Sequence, residues 1–138
     1  MRRPVLAIAA VLACAVALPA AAQDLSRACP KANEVTWEHL LGTWRAEVQG
    51  HGTSVLVLQR HPELAESVRG TIDRDGARLE VAGDVEDGDL TLEESANGVN
   101  ISATWLGDVV EGSCGREVRG AWTSEASPIE FPFVMKKQ

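Results

Sequence analysis

The chain offers few side chains with the types and spacing of a catalytic or metal centre. Its histidines, His39, His51 and His61, have no partner at a ligand spacing such as His-x-x-x-His, so they read as surface or capping residues. Asp84, Glu86, Asp87 and Asp89 crowd one hairpin. A calcium loop needs oxygens at spaced positions closed by a bidentate glutamate, and this register lacks that pattern, so they read as a solvated hairpin tip. Ser113 and Cys114 have no Ser/His/Asp order around them. Glu93 and Glu94 are adjacent, which in a strand puts them on opposite faces, the wrong arrangement for shared acid–base work. The expectation is a protein that is not an enzyme and carries no cofactor or metal. What remains is binding chemistry. Trp44, Trp105 and Trp122 each lie within an alternating apolar stretch, where a large flat ring either fills a core or walls a pocket.

The elements that hold these rings are strands. Asp75-Gly76, Asp87-Gly88 and Asn97-Gly98 are hairpin signals, each flanked by alternating apolar residues. Tight hairpins join sequence neighbours as antiparallel neighbours, so the chain from Gly42 onward is a meander. A long meander removes its exposed edges by closing into a barrel. The expected fold is all-β: a single eight-stranded antiparallel up-and-down barrel over residues 42–138. An N-terminal segment, residues 23–41, precedes it and contains a helical turn capped by Thr36 and running from Trp37 to Leu41.

All strands but the second show one apolar face. The first sets Trp44, Ala46 and Val48 together, and the third Val68, Gly70 and Ile72. The fourth offers Leu79, Val81, Gly83 and Val85, and the fifth Leu90 and Leu92. The sixth is expected to set Val99, Ile101, Ala103 and Trp105 inward, the seventh Val118, Gly120 and Trp122, and the eighth Ile129, Phe131, Phe133 and Met135. The second, Thr53 to Arg60, is apolar on both faces, so its outer side is expected to be covered or shared with a partner. Gly70, Gly83 and Gly120 on the apolar face mark bends or leave room inside. An eight-stranded interior is wide enough to be filled by side chains or to hold one small ligand.

Residues 1–22 read as a secretory signal. Arg2 and Arg3 precede an apolar run from Val5 to Leu18, Pro19 breaks it, and cleavage is expected after Ala22. The run is too short for a membrane span. Cys14 within it is a poor match to a lipoprotein box. Cleavage removes two of 13 basic residues and none of 20 acidic ones, taking the net charge from −7 to −9. That argues against nucleic acid and an anionic membrane surface as partners and permits a basic protein. Of the mature cysteines, Cys29 and Cys114 are expected to form one disulfide in a periplasmic or secreted location.

Leu41-Gly42-Thr43-Trp44 opening such a meander resembles the Gly-x-Trp start of the calycin barrels, which include lipocalins and avidins. The resemblance implies a first-strand Trp closing one barrel end beneath a cation, supplied here by Lys136 or Lys137. Val68-Arg69-Gly70-Thr71-Ile72, Ser102 to Gly107, Gly120-Ala121-Trp122 and Phe131-Pro132-Phe133 are similar in order and spacing to streptavidin-like proteins. The biotin-binding set is missing: Ile72 stands where that family places a Tyr, and Arg45 and Glu47 where it places Asn and Ser. The resemblance thus implies the fold and Trp44, Trp105 and Trp122 as pocket positions, without biotin binding; Ile72 and Phe133 complete the expected ligand-binding set. The expected function is an exported barrel binding a small, mostly apolar ligand at its mouth. The alternative is a barrel that inhibits an exported protease or lysozyme, its acidic charge steering a basic partner and its N-terminal stretch serving as an inserting arm. A homo-oligomer through outward apolar strands is a further possibility.

Overall fold

The computed structural model describes residues 28–138; the signal-peptide reading of residues 1–22, with its cleavage after Ala22, and Cys14 lie outside them. A 3-10 turn, Ala32–Glu34, and a single helical turn, α1 (Trp37–Leu40), lead into eight strands. These are β1 (Gly42–Val48), β2 (Gly52–Arg60), β3 (Val68–Arg74), β4 (Ala77–Glu86), β5 (Asp89–Ser95), β6 (Ala103–Val109), β7 (Glu117–Ser124) and β8 (Glu130–Lys137). Each pairs antiparallel with its sequence neighbours, and β1 pairs with β8, Trp44 opposite Lys137 and Val48 opposite Phe133. The sheet is a closed eight-stranded up-and-down barrel, as the turn pattern requires.

Two of the three turn signals form as expected. Asp75 and Gly76 have φ of 51° and 78°, and Asp87 and Gly88 have 50° and 88°. Positive φ at both central residues defines the type I′ hairpin, whose twist matches that of the strands it joins. Asn97-Gly98 does not form such a turn. The Asn97 Oδ1 accepts from the Val99 and Asn100 N–H groups at 2.9 and 2.8 Å, and from the Ser95 hydroxyl. This local side-chain turn competes with the ladder, so residues 96–102 form a loop and the sixth strand starts at Ala103. Val99 and Ile101, expected inside, are 83% and 44% exposed.

Ile129, also expected inside, precedes β8 and is 59% exposed; the other apolar faces point inward as read. Trp44, Leu56, Ile72, Leu92, Trp105 and Met135 are completely buried. The outward Val55 and Val57 of β2 remain over one-third exposed, so no other part of the described chain covers them. The interior glycines admit backbone rather than space. A Cβ at Gly70, Gly83 or Gly120 would strike the carbonyl oxygen of Val57, Thr91 or Leu106 on the adjacent strand. They allow the strands to coil tightly enough for closure. A Cβ at Gly107, opposite Gly120, would also meet the Phe133 ring tip at 2.8 Å.

The N-terminal segment is packed against one end of the barrel. Pro30, Val35 and Leu40 are buried, and the Ala32 N–H donates to Glu111 Oε2 at 2.9 Å. Asp84, Glu86, Asp87 and Asp89 are all exposed, as expected of a solvated tip, while Gly88 between them is buried against the Ala32 carbonyl. Cys29 and Cys114 form a disulfide that ties this segment to the loop before β7 across 85 residues of sequence.

Two stability measurements check these assignments. Gly120→Ala should lower the unfolding free energy by about 3 kcal/mol through overpacking; a urea midpoint equal to wild type would show that the neighbouring strand can move aside. Replacing both Cys29 and Cys114 by Ser should cost up to about 4–5 kcal/mol, the loop-entropy figure for so long a closure. An unchanged urea midpoint would mean that the N-terminal segment docks without the bond.

Candidate functional site

The two ends of the barrel are closed by different chemistry. At the end carrying α1, the Trp44 Nε1–H donates to the Leu40 carbonyl at 2.8 Å. Lys137 Nζ donates to the His39 carbonyl at 2.8 Å and lies 5.9 Å from the Trp44 ring centroid. The expected cation over the first-strand Trp is therefore Lys137; Lys136 faces outward, 3.6 Å from Glu117. Burial and the nearby Arg116 hold the Lys137 pKa below the ordinary lysine value. His39 has a capping role, its Nδ1 accepting the Thr36 N–H at 3.0 Å. His61 caps likewise, accepting from the N–H groups of Glu63 and Leu64.

The opposite end is surrounded by the β1–β2, β3–β4, β5–β6 and β7–β8 connections. Strand alternation carries β3 from Ile72 to Arg74, β5 from Leu92 to Glu94, and β2 from Leu56 back to Ser54, all facing inward. Glu94 is 1% exposed. Its Oε1 accepts from Arg74 Nη2 at 2.6 Å, Trp105 Nε1 at 2.7 Å and Trp122 Nε1 at 3.0 Å. Its Oε2 accepts from Arg74 Nη1 at 3.2 Å. Arg74 Nε donates to the Ser54 hydroxyl at 2.9 Å, and the guanidinium carbon lies 5.2 Å from the Trp122 ring centroid. A buried carboxylate is tolerated only when its charge and lone pairs are met, and a two-point arginine contact plus two indole donors meets them. Above this cluster, His51 from the β1–β2 turn packs on Trp122 at 4.8 Å and on Phe131 at 4.4 Å between centroids.

The five residues expected to wall a pocket are all inside the barrel, and none is more than 6% exposed. Trp105 and Trp122 meet at Glu94. Phe133 contacts Trp105 edge-on at 4.8 Å. Ile72 lies one inward position from Arg74, and Trp44 is at the other end. Sequence reading missed Ser54, Arg74, Glu94 and His51. The available signal was parity, which puts two opposite charges on the apolar face near the same end. Two hollows of the described residues lie on the outside of the barrel. One, of about 350 Å³, runs along the outer wall of β3, β4 and β5 beneath the 96–102 loop. Another, of about 560 Å³, crosses the outer wall where β1 meets β8.

Glu94→Leu should cost about 3–5 kcal/mol, since it leaves the Arg74 charge and two indole N–H groups unanswered. Adding Arg74→Met should recover much of that loss; a double-mutant cycle showing additive penalties would mean that the pair does not act as a unit. At the other end, the lowered Lys137 pKa means that the folded chain binds fewer protons there than the unfolded chain. Wild type should therefore gain stability relative to Lys137→Met as pH rises from the lowered folded value toward the ordinary lysine value. Unfolding curves that stay parallel across that alkaline range would contradict the shift.

The closed barrel and its capped first-strand Trp are consistent with a calycin-like fold. No family model matches the chain, and no curated protein does either.

Proposed function

We propose that the chain is an exported, non-catalytic binding barrel that engages a protein partner at the rim opposite α1. The observation that carries this reading is the exposure of large apolar side chains on the rim loops: Val99 at 83%, Ile101 at 44% and Ile129 at 59%. Rigid loops that hold apolar groups in water suit a surface that another protein covers. The mature charge of −9 favours a basic partner, as an inhibitor of a basic exported enzyme would require. The N-terminal arm is a weaker candidate for insertion, because Pro30 and Val35 are buried against the barrel. The Cys29–Cys114 disulfide supports an oxidising, extracytoplasmic location.

A small apolar ligand in the mouth is the second reading, favoured by the aromatic lid of His51, Trp122 and Phe131. It requires that lid to swing aside and the interior side chains to yield volume. Native mass spectrometry of residues 23–138, purified from their own exported fraction, separates the two. A bare barrel or a protein complex is expected; a small-molecule mass retained by the barrel would overturn the protein-partner reading.

A further inference from the structure

Resting on that protein-partner reading, we infer that the docking surface is the groove on the outer wall of β3–β5 beneath the 96–102 loop. Its occupant is a basic segment of the partner that carries an apolar residue beside Lys or Arg. The groove is lined by Glu80, Glu93, Val99 and Ile101, with Arg69 in the same cross-strand row as Glu93, two strands away. Glu80 and Glu93 form no ion pair among the described residues, while the nearby Asp73 is paired with Arg78 at 3.1 Å. Two unanswered carboxylates thus flank two exposed aliphatic side chains, which is the complement of a cationic, partly apolar segment. The rim reinforces this field. Asp75, Glu125 and Glu130 are exposed there.

The loop is preorganised to present its apolar residues. Asn97 Oδ1 holds the backbone of Val99 and Asn100. The Ser102 N–H donates to the Glu94 carbonyl at 2.7 Å, and the Glu125 N–H donates to the Ser102 carbonyl at 3.0 Å. The loop is thereby fastened at its base to the strand that carries the buried Glu94 and to the neighbouring rim loop. An anchor held in place before contact loses little conformational freedom on binding.

The test places a photo-crosslinking amino acid at position 99, and in a separate protein at position 57 on the outer face of β2, then irradiates each in the exported fraction. Capture at position 99 is the expected result. The captured protein is then purified, and its affinity is measured for full-length mature chain. Val99→Ser with Ile101→Ser, and Glu80→Gln with Glu93→Gln, should each weaken binding at least tenfold, and added salt should weaken wild-type binding. Val57→Ser should leave it unchanged, and thermal melts of each variant should match wild type, because these side chains lie outside the core. Unchanged affinity in both double variants would overturn the groove while leaving the protein-partner reading intact. Capture only from position 57 would do the same. No captured protein from either position would overturn both.

Discussion

A carboxylate inside a β-barrel has to be answered by donors, and the whole rim opposite α1 is arranged around that requirement. Glu94 is reached by Arg74, Trp105 and Trp122, and Arg74 in turn holds Ser54. These residues come from β2, β3, β5, β6 and β7, so one cluster ties together five of the eight strands through their interior side chains. Backbone ladders alone leave a barrel free to breathe at its mouth. A charge that cannot be left unsatisfied makes any such opening costly, because moving one strand outward would strand the carboxylate or the guanidinium in a dry interior.

The two ends therefore solve the same problem with opposite partners. At the α1 end, an indole and an ammonium donate to backbone carbonyls left free at the helical turn, and the disulfide holds that turn's leading segment in place. At the rim, indoles and a guanidinium donate to a side-chain carboxylate. The first arrangement seals the barrel with main chain and the second plugs it with side chains. Both leave the barrel lumen to packed aromatic and aliphatic groups, and both leave the outer wall and its loops as the surfaces open to a partner.

The architecture was largely legible because it rests on local signals. Asp-Gly pairs that need positive φ appear as type I′ turns, and period-two alternation assigned the inner face of most strands, though not of β2, which is apolar on both faces. The sixth strand was misplaced because Asn97-Gly98 has the composition of a hairpin turn but uses the Asn side chain to cap its own backbone, a choice that composition does not reveal. The Glu94 cluster was harder to read for a different reason. Reading Arg74 and Glu94 as strand-end charges is reasonable one strand at a time. Only the register, which brings them together from strands 20 residues apart in sequence, turns two surface-like residues into a buried pair. Likewise, Gly70, Gly83 and Gly120 were visible as exceptions, but the neighbouring carbonyl that fills each gap belongs to another strand.

The distribution of tryptophan has an optical consequence. The chain has no tyrosine, so its near-ultraviolet fluorescence comes from indole alone. Trp105 and Trp122 share the Glu94 carboxylate at the rim, Trp44 lies at the sealed end, and Trp37 sits outside it beneath Arg60. The emission is thus already divided by position. A change confined to the mouth alters the two rings on the carboxylate, and a change at the base alters the other two. Single replacements by phenylalanine would sort the signal between the ends, giving the barrel a label at each end without any added dye.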